Sequence, residues 1–321
     1  MKKIAGLCVA ALLVACGSNL SAQPVAGKIS PKQMKTALVE LEKLAGATLK
    51  AEGLPGLAIV IVHQNEVVYL QGFGVREVGN PERIDADTVF QLASVSKPIT
   101  STVLAALVGE GVIGWDDRVV DRDPAFALHE AWTTRALTLR DLLCHRSGLP
   151  DHAGDLLEDL GYDREQVLHR LRFLPTKGRF RAQYAYTNFG YTEAAVAAAR
   201  AVGKPWETIA EERLYQPLGM KSTSSHYDDF ARAKNRALLH VKVGDRFVAK
   251  NTRQPDAQSP AGGVSSTAAD MARWLRLQLG EGEFEGRRLV AADALAETHR
   301  PQFVLGFDPV AGRLSSYGLG W

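Results

Sequence analysis

Cysteine is scarce in this chain, and its scarcity limits the covalent chemistry open to the fold. The three cysteines are Cys8, Cys16 and Cys144. If the N-terminal segment is removed or modified, as predicted below, Cys144 is the one unmodified thiol, and an intramolecular disulfide is excluded. Because Cys144 follows Leu142 and Leu143, we predict a small buried core residue and not a nucleophile.

A bias of charge is also lacking. Lys and Arg total 38, Asp and Glu total 36, and the net charge is +2. Long charge runs, internal repeats and low-complexity tracts are absent from the sequence, so we expect no general surface for nucleic acid or anionic membranes. The eight histidines show no metal-ligand spacing such as HExxH, and we predict neither a metal nor a cofactor.

Apolar residues are abundant, but they form no long run. The chain has 321 residues, of which 46% are hydrophobic, enough for a sizeable core in one large domain or two closely packed ones. Its N-terminus has two lysines and then an apolar run, Ile4–Ala15, which is short for a membrane span and typical of a secretion signal.

The end of this run, Leu13-Val14-Ala15-Cys16-Gly17, resembles the bacterial lipobox, whose cysteine is lipidated and becomes N-terminal after cleavage. Ordinary cleavage near Ala22 is the alternative, but Leu20 stands where that cleavage requires a small residue. We favour lipidation at Cys16. The sequence thus predicts a leader over residues 1–22, a folded domain over 23–321, and an exported, periplasmic protein that the Cys16 lipid anchors to the membrane.

Periodicity and turn residues predict an α/β fold of the α+β type. Ser30-Pro31 predicts the start of a helix that ends near Ala51. Leu57–Val62 and Val67–Phe73 predict a hairpin that turns at Gln64-Asn65.

Helical patterns dominate between about residues 115 and 219, which predicts a helical region inserted between sheet-forming parts. A second hairpin is predicted to turn at Gly244-Asp245, and Thr267 is predicted to cap a helix together with Asp270. Tyr317–Trp321 is predicted to open a strand.

The stretch FQLASVSKPIT contains a candidate nucleophile. Ser94 and Lys97 are three residues apart, a spacing that places both on one face of a helix. Proline is tolerated in the first helical turn, so Pro98 predicts that the helix begins near Ser94. Backbone N–H groups at such an end favour developing negative charge. A serine, an amine and an oxyanion donor would then come from one turn.

The alternative is structural. A Ser-x-x-Lys motif is expected about once by chance in a chain of this length, with Ser94 as a helix cap and Lys97 solvated. Two details favour chemistry. The motif occurs once in this sequence, and it follows a strand-like approach where an unpaired ammonium would be costly to bury.

Tyr186-Thr187-Asn188 precedes a helix that Gly190 is predicted to open. A phenol near an ammonium can have its pKa lowered and act as a base. A nearby amide can bind a substrate carbonyl. The alternative is a tyrosine-rich loop in packing contact with the helical region, to which we assign Tyr184 and Tyr191.

Four segments in order, FQLASVSK, LTLRDLLCHRSGLP, YAYTNFGY and PAGGVSSTAADMARWL, make the chain similar to the serine β-lactamase and penicillin-binding superfamily. The similarity covers roughly Leu54 to Trp321, and it is greatest to the branch of class C β-lactamases, D-aminopeptidases and esterases. It implies an antiparallel sheet flanked by helices, acylation of Ser94, a base role shared by Lys97 and Tyr186, and substrate positioning by Asn188. The segment His145-Arg146-Ser147-Gly148 is interpreted as structural, with Gly148 just past a helix end.

The resemblance also implies a third motif, a Lys- or His-containing triplet that ends in Gly, on a strand after the region matching YGLGW. The printed chain stops before it, so we expect an incomplete gene product that lacks the C-terminal strands. His152-Ala153-Gly154 and Lys242-Val243-Gly244 have suitable letters, but both stand in the wrong order along the chain.

The sequence therefore predicts an exported serine hydrolase that acts through an acyl-enzyme on Ser94. Its substrate would be a β-lactam, a D-amino peptide of the peptidoglycan type or an ester. The alternative is a non-catalytic β-lactam sensor or cell-envelope binding protein of the same fold.

Overall fold

The computed structural model describes residues 29–176, 179–250 and 252–321. The predicted leader over residues 1–22, with Cys16, lies outside the described residues, and the boundary at residue 23 stays a prediction. Contacts along the chain separate two compact units, Met1–Lys43 and Leu44–Trp321. The candidate site lies within the second unit.

The described residues form helices and short antiparallel strand pairs, which confirms the predicted α+β class. The α-helices are α1 Pro31–Glu52, α2 Ser96–Gly109, α3 Val119–Arg122, α4 Ala131–Ala136, α5 Leu139–Leu143, α6 Asp155–Asp159, α7 Arg164–Arg170, α8 Asn188–Val202, α9 Trp206–Ala210, α10 Gln216–Leu218, α11 Tyr227–Arg232, α12 Ala268–Leu279 and α13 Ala292–His299. The strands are β1 Gly56–His63, β2 Glu66–Gly74, β3 Phe90–Gln91, β4 His240–Val243, β5 Arg246–Ala249, β6 Ser265–Ser266, β7 Glu283–Phe284, β8 Arg287–Arg288, β9 Phe303–Asp308 and β10 Arg313–Tyr317. They pair antiparallel as β1–β2, β3–β6, β4–β5, β7–β8 and β9–β10.

The first helix and the first hairpin are found where they were predicted. At the start of α1, Ser30 Oγ accepts a hydrogen bond from the Gln33 N–H at 3.3 Å, and Gln33 Oε1 accepts one from the Ser30 N–H at 2.9 Å. In the β1–β2 turn, Gln64 and Asn65 have φ of 50° and 66°, the left-handed values that a two-residue hairpin turn requires. Helix α12 packs against β1.

Helix α2 lies at the centre of the core. Val103, Leu104, Ala105 and Leu107 have no exposed surface, and α2 packs against α8 and α13. Burial of each leucine contributes roughly 1.5–3 kcal/mol to folding. The later turns of α2 are therefore held firmly, and they fix the position of its N-terminal turn.

The predicted helical region contains α3 to α10, and of its described residues none lies in a strand of the sheets. The second hairpin, β4–β5, turns at Gly244 as predicted, with φ of 61°. At the start of α12, Thr267 Oγ1 accepts a hydrogen bond from the Asp270 N–H at 3.1 Å. None of the helices in the described ranges combines the length and apolar character that a membrane crossing needs.

The prediction for the end of the chain is wrong. Tyr317 closes β10 and pairs with Phe303 of β9, so Tyr317–Trp321 opens no strand. The chain turns instead at Gly320, where φ is 99°, a value that glycine adopts without strain. The indole of Trp321 stacks on Trp274, with ring centroids 5.5 Å apart and planes 7° from parallel.

Candidate active site

Ser94 lies in a tight turn that leads into α2. Residues Ala93–Val95 form one 3₁₀ turn after β3, and α2 begins at Ser96, close to the predicted start. Pro98 is the third residue of α2, where a backbone N–H has no partner within the helix. Ala93 has φ of 48°, a left-handed conformation that costs about 1–2 kcal/mol for a non-glycine residue. This bend leaves Ser94 exposed at the N-terminal end of the helix.

The three predicted catalytic residues lie together. The Tyr186 hydroxyl is 2.7 Å from Ser94 Oγ, and Lys97 Nζ is 3.4 Å from the same oxygen. Lys97 Nζ also lies 4.5 Å from the centre of the Tyr186 ring. The serine thus has a hydrogen-bonded phenol on one side and an ammonium within reach on the other.

Lys97 is buried, with 1% of its surface exposed, and its ammonium is well supplied with acceptors. It donates to Asn188 Oδ1 at 2.7 Å and to the carbonyl oxygen of Ala261 at 3.0 Å. Ala261 belongs to the PAGGV segment. A buried ammonium without such acceptors would be strongly destabilising, so Asn188 and Ala261 hold its charge in place.

Helix α8 begins at Asn188 and not at Gly190, as was predicted. Gly190 lies inside the first turn because a side chain there would meet Thr187 Oγ1 at 2.4 Å. Asn188 is therefore directed by the helix start itself. Its amide oxygen faces Lys97, and its Nδ2 donates to Asp155 Oδ2 at 2.9 Å.

His145 differs from its predicted role. Helix α5 ends at Leu143, and His145, with φ of 59°, takes the left-handed position assigned to Gly148. Its carbonyl oxygen accepts a hydrogen bond from the Ala185 N–H at 2.9 Å, and its Nδ1 accepts one from the Thr187 N–H at 3.2 Å.

The His145 ring also packs on Tyr186, with ring centroids 4.5 Å apart. Burial, together with the positive charge of Lys97, lowers the pKa of His145 well below its usual value. The imidazole is therefore neutral at physiological pH, in agreement with its acceptor role at Nδ1. It supports the tyrosine segment on both its backbone and its ring.

Tyr191 packs as predicted. Its side chain is fully buried, and its hydroxyl donates to the carbonyl oxygen of Lys97 at 2.8 Å. Burial raises the pKa of Tyr191 far above its usual value, so this hydroxyl stays protonated. Cys144 is also buried as predicted, and burial raises the pKa of its thiol to about 11.

Two residues near the site were missed in the sequence or set aside. The His152 N–H donates to the carbonyl oxygen of Tyr186 at 2.7 Å, and the two rings have centroids 5.6 Å apart. His152 Nδ1 and Asp155 Oδ2 are 2.8 Å apart. Neither residue belongs to a recognisable motif at this place. The other rejected triplet contains Lys242, whose ammonium lies 5.9 Å from the Phe247 ring in the β4–β5 hairpin.

The arrangement suits nucleophilic catalysis by a serine. Such chemistry requires a base within hydrogen-bond reach of the hydroxyl, and the base in turn requires a group that orients it. Ser94, Tyr186 and Lys97 meet these requirements. Within the described part of the chain, no three His, Cys, Asp or Glu side chains are grouped as metal ligands.

The family follows from a sequence match. A model of the family described as Beta-lactamase matches residues 41–321. The chain belongs to the beta-lactamase family. The resemblance seen in its four segments is thereby confirmed, and the beta-lactamase family is one of serine hydrolases, which supports a hydrolase of this fold.

Related proteins of known name include two bacterial ones. The D-alanyl-D-alanine-carboxypeptidase/endopeptidase AmpH of Escherichia coli strain K12 is 29% identical over 316 residues, which cover 96% of this chain and 79% of that protein. Penicillin-binding protein 4 of Amycolatopsis lactamdurans is 28% identical over 282 residues, covering 84% of this chain and 71% of that protein.

Solved structures show the same fold. The octameric penicillin-binding protein homologue from Pyrococcus abyssi superposes with a TM-score of 0.75 at 22% identity, over 88% of this chain and 64% of that one. The class C beta lactamase from Rhodobacter sphaeroides gives a TM-score of 0.69 at 21% identity, over 87% of this chain and 73% of that one. The chain thus spans less than two thirds of the Pyrococcus protein.

Proposed function

We propose that this protein is a serine hydrolase that forms an acyl-enzyme on Ser94. The observation that carries the proposal is the 2.7 Å contact between Ser94 Oγ and the Tyr186 hydroxyl, with the buried Lys97 ammonium 3.4 Å from the same serine oxygen. A serine hydroxyl is a weak nucleophile until a neighbouring base takes its proton. Tyr186 and Lys97 are the groups in reach to do so.

In the proposed cycle, Ser94 Oγ attacks the carbonyl carbon of the substrate while its proton passes to the Tyr186–Lys97 pair. The pair then gives that proton to the leaving nitrogen or oxygen as the bond from the carbonyl carbon to that atom breaks. Water attacks the acyl-enzyme and loses a proton to the pair, and Ser94 leaves as a hydroxyl. Such proton transfer contributes about 10²–10⁴ in rate.

Lys97 has a second task in this proposal. Because Asn188 and Ala261 accept hydrogen bonds from it, its ammonium points toward the serine and the phenol without reorganising. A positive charge at this place stabilises negative charge that develops on the Tyr186 oxygen. The backbone N–H of Ser94, at the end of α2, would stabilise the oxyanion on the substrate.

The proposed substrates are β-lactams, D-amino peptides of the peptidoglycan type and esters. The first two are supported by the names of relatives, a D-alanyl-D-alanine carboxypeptidase and a penicillin-binding protein. Fold alone does not choose among these substrates. We also propose that residues 1–22 direct export and that lipid on Cys16 anchors the protein at the periplasmic membrane.

The test is covalent labelling of the purified protein with a fluorescent penicillin and with a fluorescent fluorophosphonate. Wild type should be labelled, and Ser94→Ala should be unlabelled, while the exposed control Ser222→Ala should be labelled like wild type. Equal labelling of Ser94→Ala and wild type contradicts the proposal. A labelled protein that never releases the adduct would be a sensor, and the absence of both labelling and hydrolysis would indicate a binding protein.

A further inference from the structure

Asp155 contacts the candidate site through Asn188. It is the first residue of α6, and Gly154 before it has φ of 93°. Its Oδ2 accepts the hydrogen bond from Asn188 Nδ2 at 2.9 Å and lies 2.8 Å from His152 Nδ1. The Asp155 side chain is 21% exposed and that of His152 is 58% exposed. Oδ1 of Asp155 is buried without a hydrogen-bond partner among the described residues.

The contacts of Asn188 allow one direction of its amide. A carboxylate only accepts hydrogen bonds, an ammonium only donates them, and a primary amide offers one oxygen and one NH₂ group. With Asp155 on one side and Lys97 on the other, Nδ2 must face Asp155 and Oδ1 must face Lys97. A reversed amide would set two acceptors against each other at Asp155 and two donors against each other at Lys97.

We infer that Asp155 is a positioning residue, which sets the direction of the Asn188 amide and thereby the place of the Lys97 ammonium. This inference rests on the proposed function, because it assigns the position of Lys97 a role in acylation. Asp155 contacts neither Ser94 nor the Tyr186 hydroxyl, so its effect passes through Asn188. The loop that carries it also holds Tyr186, through the hydrogen bond from the His152 N–H to the Tyr186 carbonyl oxygen.

Without Asp155, the Asn188 amide can rotate and turn its NH₂ group toward the ammonium. Lys97 then loses its shortest hydrogen bond, which is 2.7 Å long, and its Nζ shifts. A misplacement of about 1 Å in a catalytic group can cost about 10²-fold in rate. We expect Asp155→Ala to slow acylation of Ser94 by about 10–100-fold. Asp155→Asn keeps an oxygen that can face Asn188, and it should retain more activity than Asp155→Ala.

The experiment is a double-mutant cycle on the rate of labelling by a fluorescent penicillin. It compares wild type, Asp155→Ala, Asn188→Ala and the double variant, with Asp159→Ala, an exposed residue of the same helix, as matched control. If Asp155 acts through Asn188, the Asp155 change should alter the rate less than about 2-fold once Asn188 is alanine, because contacting residues are coupled. An equal slowing in both backgrounds, or no slowing in either, overturns the inference.

A second measurement needs no activity. The NH₂ protons of Asn188, assigned with the help of Asn188→Ala, should shift upfield in the ¹H–¹⁵N spectrum of Asp155→Ala and stay in place in Asp159→Ala. Unchanged signals in Asp155→Ala would overturn the inference even if wild type is acylated. Conversely, an unlabelled wild type with shifted Asn188 signals contradicts the proposed function and leaves the positioning by Asp155 supported.

Discussion

Two buried ionisable side chains lie along helix α8, and their surroundings are opposite. Lys97 contacts Asn188 at the start of the helix and has short hydrogen bonds to two oxygens. Glu193, in the second turn, is fully buried, and neither of its carboxyl oxygens has a hydrogen-bond partner among the described residues. Burial, and then the negative charge of Asp123, raise the pKa of Glu193 well above its usual value.

The comparison separates two ways in which a protein accommodates a titratable group in its interior. Lys97 keeps hydrogen-bond acceptors around it, so a charge can be held where the proposed chemistry needs it. Glu193 has no such partners, so it stays protonated and still leaves polar atoms unsatisfied. The first arrangement serves reactivity, whereas the second lowers stability.

The largest effect is expected for Lys97→Met, which keeps the length of the side chain and removes the charge. Labelling of Ser94 by a fluorescent penicillin should slow by about 10²–10⁴-fold, since the proposed proton transfer loses its cation. Lys221→Met, at an exposed lysine, is the control and should label at the wild-type rate. Labelling of Lys97→Met at the wild-type rate would remove Lys97 from the mechanism.

A smaller effect, of about 10²-fold, is expected for Tyr186→Phe. The phenylalanine ring keeps the packing on His145, at 4.5 Å between centroids, and loses the hydroxyl that contacts Ser94. Stopped-flow measurement of acylation gives the rate, and Tyr162→Phe, a partly buried tyrosine outside the site, serves as control. If Tyr186→Phe acylates as fast as wild type, the base must be Lys97 alone.

Glu193→Leu should change stability and leave labelling unaltered. Replacing an unsatisfied buried acid by an apolar side chain of similar size should raise the free energy of unfolding by about 1–3 kcal/mol. Urea denaturation measures this change, and Glu165→Leu on α7 is the control at a more exposed position. A lower stability of Glu193→Leu would mean that the carboxyl group has favourable contacts.

The smallest effect is a dependence on pH. Because the folded state raises the pKa of Glu193 above its unfolded value, the folded state binds this proton more tightly, and stability falls as pH rises above the unfolded pKa, whose ordinary value is 4.5. The gain in Tm of Glu193→Gln over wild type should therefore increase from pH 5 to pH 8. A gain that is constant over this range would show that Glu193 has no raised pKa.

Local spacing made part of the site predictable. Ser94 and Lys97 are three residues apart, and Pro98 located the helix start, so their meeting required no tertiary information. Thr267 with Asp270, and Gln64 with Asn65, were equally local. Confirmation of these elements shows that capping and turn chemistry determine where the segments begin and turn.

Other features depended on distant packing. Asp155 and Asn188 are far apart in sequence, and only the fold brings their side chains together. Glu193 stands in an alanine-rich helix whose pattern predicts a helix but gives no reason to bury an acid. The β9–β10 hairpin was missed although Asp308-Pro309 and Gly312 are turn residues, because its strands alternate poorly and leave Val304, Phe307 and Leu314 exposed.

The most direct test of the central claim is the mass of the protein after brief incubation with benzylpenicillin, followed by peptide mapping. We predict one added penicilloyl group per chain, located on Ser94, and its absence from Ser94→Ala. An adduct on another residue, or an unmodified wild type with an intact fold, would contradict the account.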